Sequence, residues 1–522
     1  MKGGYGVLAV LDVGTTGCKT SLFDEEGNME NTSSREYDNV YLSPTRVEQN
    51  PEVWVESLLM TMRDCLKKSS EAENIRAVIV TSQRATVIPV DRKGKPLRNA
   101  ILWLDKRGLK ECEFIRSRID ERTIYRKTGL RVDPYFSAPK ILWIKNNQPS
   151  IYDNTSKFLT VHDYIIYNLT GEIATDQTQA SRTMLFNIDD RRWDDEIFEE
   201  IEIDQDKVPE TVVTGTEVGE LKREICEKTG FPQGIPVLAG GGDQQSAAIG
   251  LGVIREDRVG VTTGGGSFIV THSDRSLRDK EMRVLCSVSA MPDKWILEAG
   301  IFTAGSIYKW FKDEVGKIET VLSKVFDMRP YEILDMEVRI DWPRRPSGLI
   351  LLPHFAGSAA PYWNPLAKGV IFNLTLHTTR RDLIKAVLEA ICLEIKKNMR
   401  IFEEVSGKLI REVYVGGGAS KSDLFNQIQA DVYGKPVMKT SNIETASLGA
   451  AMIGWTKLGA YRDLNDCISK VVRIDSKVYP DYDLTKRYEA IMEVSEELYH
   501  ALHERGLYKR ALEVLDRGSE AC

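Results

Sequence analysis

The sequence is poor in the residues that build cross-linked or metal-centred sites. Its eight cysteines, at 18, 65, 112, 226, 286, 392, 467 and 522, are scattered, and no two form a CxxC pair. That spacing argues against a disulfide framework or a zinc site and fits reduced, buried thiols, so a cytoplasmic location is expected. The six histidines are dispersed, which leaves a histidine triad or metal cage without support. No apolar run reaches the length of about eighteen residues that a membrane helix needs. The start, from Met1 into the apolar Val7–Leu11, lacks the basic segment, long apolar run and small-residue cleavage site of a signal peptide. Excess positive charge is also missing. A formal net charge of -7 gives no electrostatic reason to expect nucleic acid or an anionic membrane as partner.

What is present describes an ordinary soluble α/β protein. At 522 residues, 42% hydrophobic and 28% charged, the chain is too long for one core and implies two or more domains. Strand-like apolar runs alternate with segments of helical period. Asn50-Pro51 opens a helix whose Trp54, Leu58, Leu59, Met62 and Leu66 share a face, and Ala77–Thr81 reads as a buried strand. A longer helix near 380–403 aligns Leu383, Val387, Ile391, Ile395, Met399 and Phe402, and the charged stretch from about 485 reads as a packed helix. There is also an internal echo: residues 7–24 read strand, Gly/Thr turn, strand, and residues 258–271 repeat the pattern. Two similar domains, 1–249 and 250–522, are expected, each offering a turn to a shared cleft.

Three glycine-rich turns carry the chemistry. Gly14-Thr15-Thr16-Gly17 follows a strand ending near Asp12. Its backbone N–H groups and threonine hydroxyls suit phosphate oxygens, Lys19 adds charge, and Asp12 suits Mg²⁺ through water; a plain hairpin turn with a solvent-facing Asp explains the same residues. In Gly240-Gly241-Gly242-Asp243-Gln244 the glycines clear side chains from around a carboxylate, as a general base for a hydroxyl requires. A helix start capped by that Asp explains the same residues, and the two readings are compatible. Gly416-Gly417-Gly418-Ala419-Ser420 lies between a strand and a helix, a nucleotide-binding shape without the Lys-Ser/Thr ending of a Walker loop.

Taken in order, these segments resemble the FGGY carbohydrate kinase family over nearly the whole chain. DVGTTGCKTSLFD is similar to the family's first phosphate loop, AGGGDQQSAAIGLG to its catalytic Asp segment, and GGGASKSDLFNQIQADVYGKPV to its adenosine segment. ETASLGAAMIG resembles its closing C-domain helix. The resemblance implies two actin-like (ribonuclease H-like) α/β domains flanking a catalytic cleft, ATP and Mg²⁺ as cofactors, and a small polyol or sugar as substrate. The stretches Ser82-Gln83-Arg84, Asp133–Ser137 and Ala180–Ile188 look most like glycerol kinases. By that likeness Arg84, Trp103, Tyr135, Asp243, Gln244 and Phe268 hold the substrate, with Asp243 as base and Asp12 and Asp243 on the metal. Gly14, Thr15, Thr16, Lys19, Gly264, Gly265 and Gly305 then serve the phosphates, and Gly417, Gly418 and Ala419 the adenosine. The reading involves neither nucleic acid nor membrane, and a homodimer or homotetramer is compatible with it.

Three departures bear on the substrate and the nucleotide. Ala85 stands where glycerol kinases usually carry Glu, which removes an acceptor for two substrate hydroxyls. Gly265 stands where the family usually has Thr, and the Gly-Thr-Arg loop tied to sugar-bisphosphate inhibition is absent before Ile235-Pro236. The alternatives are therefore a kinase for xylulose, ribulose or another sugar alcohol, and an actin-like ATP-binding switch with no small-molecule acceptor.

Overall fold

The computed structural model describes residues 6–43, 45–67, 72–339 and 344–516; Cys522 lies outside them. The chain forms two compact units. The first comprises residues 1–254, 272–297 and 444–473; the second comprises 255–271, 298–443 and 474–522. A single cut near residue 250 thus marks where the chain first leaves the first unit, and two later segments return to it.

In the first unit six strands form one sheet: β1 (Val7–Val13), β2 (Gly17–Phe23), β3 (Met29–Glu36), β4 (Ile75–Ser82), β5 (Glu217–Glu220) and β6 (Pro236–Gly242). Their order is β5-β6-β4-β1-β2-β3. β1 is apolar on both faces because both faces are covered. Val7, Ala9, Leu11 and Val13 join the core under the Pro51–Leu66 helix, which buries Trp54, Leu58 and Met62. Leu8 and Val10 point the other way, into a core with Ile249, Leu448, Met452 and Trp455. Asn50 caps the Pro51–Leu66 helix by accepting the Glu52 N–H, and Pro51 occupies its first turn.

The second unit contains β7 (Arg258–Thr263), β8 (Ser267–Ser273), β9 (Glu412–Gly416), β10 (Val437–Thr440) and β11 (Ile474–Val478). They run in the order β8-β7-β9-β10-β11. The sequence echo is a repeat of topology. β1 pairs antiparallel with β2 and parallel with β4, β4 pairs parallel with β6, and β6 antiparallel with β5. In the same succession β7 pairs antiparallel with β8 and parallel with β9, β9 parallel with β10, and β10 antiparallel with β11. The expected long helix spans Arg380–Ser406, opened by a Thr379/Asp382 capping box, and the C-terminal helices span Tyr482–Glu504 and Leu507–Asp516.

Two helices of the first unit, Asp243–Gly250 and Thr445–Lys457, pack backbone to backbone. A Cβ on Gly449 would lie 1.8 Å from the Ser246 carbonyl oxygen, and one on Gly250 would lie 2.0 Å from that of Thr445. Gly449→Val is therefore expected to destabilise the protein by at least about 1–3 kcal/mol, the usual cost of overpacking. Denaturant unfolding of the full chain checks this, and an unchanged midpoint would contradict the contact.

Candidate functional site

The first unit gathers its polar side chains where β1, β4 and β6 end. Asp12, near the end of β1, lies opposite Lys19 in the β1–β2 register. Lys19 forms an ion pair with Glu444 at 2.5 Å, and Asp12 Oδ2 accepts from the Ser447 hydroxyl at 3.4 Å. The returning Thr445–Lys457 helix and its preceding residue thus reach the first turn, a link that local sequence cannot reveal. Burial, and next the charge of the Asp243 carboxylate, push the Asp12 pKa up to about 7.

Asp243 opens the helix that follows β6 and remains partly exposed, its side chain 27% accessible. Arg84, buried after β4, brings Nε to 3.2 Å from Asp243 Oδ1 and donates from Nη1 to Gln245 Oε1 at 3.1 Å. The guanidinium is therefore held between two residues of one helix turn. Glycine is required beside it: a Cβ on Gly242 would meet Arg84 Cδ at 2.5 Å.

An aromatic wall belongs to the same unit. Trp103 and Tyr135 meet edge to face with centroids 5.4 Å apart, and Arg182 lies over the Tyr135 ring at 5.6 Å. The Trp103 indole N–H donates to the Thr15 hydroxyl at 2.8 Å, and Thr15 lies 3.3 Å from Gln83 Oε1. The first glycine turn is thereby tied to the aromatic wall. Its Gly14 N–H closes the turn on the Gly17 carbonyl at 2.9 Å, and Thr16 is exposed. Gln244 is nearly buried in the Asp243 helix, and Ala85 is fully buried with φ 64°. Phe268 sits in the second unit, on β8, beside Gly300.

The second unit has its own cavity, of about 560 Å³. Five glycine-loop residues from three distant stretches line it: Gly264, Gly265, Gly305, Gly418 and Ala419. The loops are stitched together by backbone. Gly265 carbonyl accepts the Ala304 and Ser306 N–H groups, each at 2.9 Å, and Gly264 carbonyl accepts from Gly305 at 3.0 Å. Gly417 has φ 77° and a Cβ there would be 2.7 Å from the Thr263 carbonyl oxygen, so glycine alone suits the position. Cβ positions on Gly264, Gly265 and Gly418 would meet nothing within 4 Å. That leaves bare backbone facing open space, a surface on which phosphate or a flat base can approach closely.

Several cavity residues escape sequence reasoning. Tyr308 donates to Asp335 Oδ1 at 2.8 Å, Ser422 donates to Asp335 Oδ2 at 2.5 Å, and Tyr331 lies 5.2 Å from the Tyr308 ring. Leu388, Ile391 and Phe425 supply apolar lining. Burial raises the pKa of Asp335, partly offset by Ser422 and Tyr308.

Profiles of the FGGY family of carbohydrate kinases match both halves, the N-terminal domain over residues 7–250 and the C-terminal domain over 259–458. The chain belongs to this family. The glycerol kinase of Burkholderia ambifaria is 33% identical over 474 residues, spanning 89% of this chain and 91% of its own length. That of Pseudothermotoga lettingae is 32% identical over 494 residues, spanning 92% and 95%. Among solved structures, Plasmodium falciparum glycerol kinase with ADP has a TM-score of 0.83 at 27% identity, covering 94% of this chain and 98% of its own. The ligand-bound xylulose kinase of Lactobacillus acidophilus has a TM-score of 0.87 at 24% identity, covering 95% and 98%, a likeness of fold alone.

This carbohydrate kinase accordingly has the family's two-domain actin-like (ribonuclease H-like) α/β fold, uses ATP, and acts on a small sugar or polyol. Among the described residues no helix is long and apolar enough to cross a membrane, and no group of three or more His, Cys, Asp or Glu is arranged to hold a metal ion.

Proposed function

We propose that this kinase transfers the γ-phosphoryl group of ATP to a terminal hydroxyl of a small polyol, with glycerol, giving glycerol 3-phosphate, as the first substrate to test. The observation that carries the reading is the fixed pair of Arg84 and Asp243 in the unit that also holds the Trp103–Tyr135 wall. Arg84 and Gln244 offer donors to hydroxyl oxygens, Asp243 accepts a hydroxyl proton, and the rings cover a carbon chain. A nucleotide switch without an acceptor has no use for that set.

In the reaction, the acceptor hydroxyl gives its proton to Asp243 while its oxygen lone pair forms the new P–O bond. The bond between the γ-phosphorus and its bridging oxygen breaks, and ADP leaves with the electron pair. The second unit's cavity takes the adenosine, Gly417, Gly418 and Ala419 on one side, and the bare backbone of Gly264, Gly265 and Gly305 serves the phosphates. In the first unit, Gly14, Thr15, Thr16 and Lys19 steady the phosphates, Lys19 while paired with Glu444. Phe268 completes the acceptor contacts.

The acid groups fit a magnesium ion. Burial first, and the Asp243 carboxylate next, raise the cost of ionising Asp12, and a hard cation between oxygen ligands relieves it. Two carboxylates leave the remaining positions to water and phosphate, which is Mg²⁺'s preference. Asp12 and Asp243 would hold the ion, which would offset phosphate charge when bound. Free, buried thiols at seven described cysteines are in keeping with a reducing, cytoplasmic setting.

Ala85 favours a second reading. Its side chain is a methyl group, so the position offers no carboxylate to the acceptor, and a ketopentose or another sugar alcohol then competes with glycerol. Purified protein with Mg²⁺ and ATP is assayed for ADP release against glycerol, xylulose, ribulose and erythritol. Stimulation by glycerol above the others is expected. Silence with glycerol and turnover with another compound would replace glycerol by that compound, and silence throughout would remove the small-polyol reading.

A further inference from the structure

The segment after the Val161–Thr170 helix includes Asp176 and Thr178, neither of which the reaction above employs. Asp176 is fully buried and caps the short Gln177–Ala180 helix. Its Oδ1 accepts the Thr178 backbone N–H at 2.7 Å and also the Thr178 hydroxyl, in a short hydrogen bond. A hydroxyl has one proton. With that proton committed to the carboxylate, Thr178 Oγ1 can act only as an acceptor, and it accepts the Gly242 N–H at 2.8 Å.

That N–H belongs to the peptide unit between Gly241 and Gly242, immediately before Asp243. The carbonyl of the same unit, on Gly241, accepts from the Thr81 hydroxyl at 3.0 Å. One planar peptide is thus clamped at both ends, by a donor on β4 and by an acceptor that Asp176 keeps in its accepting orientation. Gly241 makes the approach feasible: its φ is 79°, and a Cβ there would lie 3.0 Å from Thr178 Oγ1 and 3.5 Å from Asp176 Oδ1. Helix capping alone would use the Thr178 N–H and would need nothing from its hydroxyl.

We propose that Asp176 and Thr178 are positioning residues that fix the orientation of the Gly241–Gly242 peptide and, through it, aim the Asp243 carboxylate at the acceptor hydroxyl. The proposal rests on the reading of Asp243 as the base. A carboxylate displaced by an ångström loses about 10²-fold in rate, so the clamp acts on turnover and leaves the nucleotide loops of the second unit untouched.

The test compares Thr178→Val, which keeps the shape and loses the acceptor, with Thr178→Ser, which keeps the hydroxyl. Each is made in the full chain and in an Asp243→Asn background, and Asp176→Asn is made alone. Turnover is measured with Mg²⁺ and ATP and with glycerol, xylulose, ribulose and erythritol as acceptors, alongside the KM for ATP and the unfolding midpoint. Thr178→Val is expected to lower kcat about 10²-fold with the KM for ATP held near wild type. Thr178→Ser is expected to recover most of it, and Asp176→Asn to fall between. In the Asp243→Asn background Thr178→Val should cost nothing more, because the group it aims is already gone.

Wild-type turnover in Thr178→Val overturns the proposal. So does a loss of the same factor in both backgrounds, or a Thr178→Ser variant as slow as Thr178→Val. Full activity of Asp243→Asn removes the base assignment, and the proposal with it, in a measurement that does not touch Thr178. Failure of the Thr178 series alone leaves that assignment standing.

Discussion

Asp243→Asn is expected to lower phosphoryl transfer by about 10²–10⁴-fold while ATP binding changes little. Asn keeps the size of the side chain and can still accept one hydrogen bond, but it cannot take up the proton that the acceptor hydroxyl must lose. The cavity proposed for the nucleotide, with Gly264, Gly265, Gly305 and Gly418 in its wall, is built by the second unit, so its shape does not depend on this side chain. Single-turnover rates with the acceptor found in the panel, together with calorimetric titration of ATP, separate the two effects. An equal loss of ATP binding and turnover would assign Asp243 to the metal or to structure in place of proton transfer.

The substitution also has a structural consequence. Arg84 is buried and lies 3.2 Å from Asp243 Oδ1, so the substitution removes a negative charge from beside a buried guanidinium. Unfolding midpoints measured beside the kinetics show whether the loss is chemical. Asp243→Glu restores the charge but moves it by a methylene. It should recover stability ahead of rate, since the clamped peptide before residue 243 fixes where the side chain starts.

Local signals in the chain carried much of this architecture. The apolar run of β1, the Asn50-Pro51 helix start and the face shared by Ile391, Ile395 and Met399 each depend on neighbours within a few residues, and each forms as expected. Glycine triplets were also readable, because a backbone that must pass within 3 Å of another backbone tolerates no Cβ, as at Gly240 and Gly417. Long-range returns were not. Nothing in Glu444–Arg473 announces that it leaves the second unit to pack on the Asp243 helix and pair with Lys19. Tyr308, Tyr331 and Asp335 belong to helices whose period is that of any amphipathic segment, so their convergence on one cavity left no mark in the pattern. Asp176 and Thr178 were hidden for a related reason. A short Asp-x-Thr reads as a cap or a turn, and its partner, the Gly242 N–H, is 64 residues further along.

The second large effect is expected at Gly305. Gly305→Ala should raise the KM for ATP by about 5- to 150-fold, the range that corresponds to 1–3 kcal/mol of overpacking. Its Cβ would lie 2.2 Å from the Gly264 carbonyl oxygen and 3.2 Å from the carbonyl carbon, both backbone atoms that cannot rotate away. The strain passes to the Gly264–Gly265 turn, which is held to the start of the Gly305–Glu314 helix by the three hydrogen bonds to the Gly264 and Gly265 carbonyls. Relief requires that turn to move, and the turn lines the cavity. Gly264→Ala is the matched control, because a Cβ there meets nothing within 4 Å; it should fold normally and change ATP binding only through what it places in the open space. ATP titration of both variants, with the KM for the acceptor measured in parallel, decides the matter. A Gly305→Ala enzyme with wild-type ATP affinity would show that the turn is free to shift, and that the phosphates are held elsewhere.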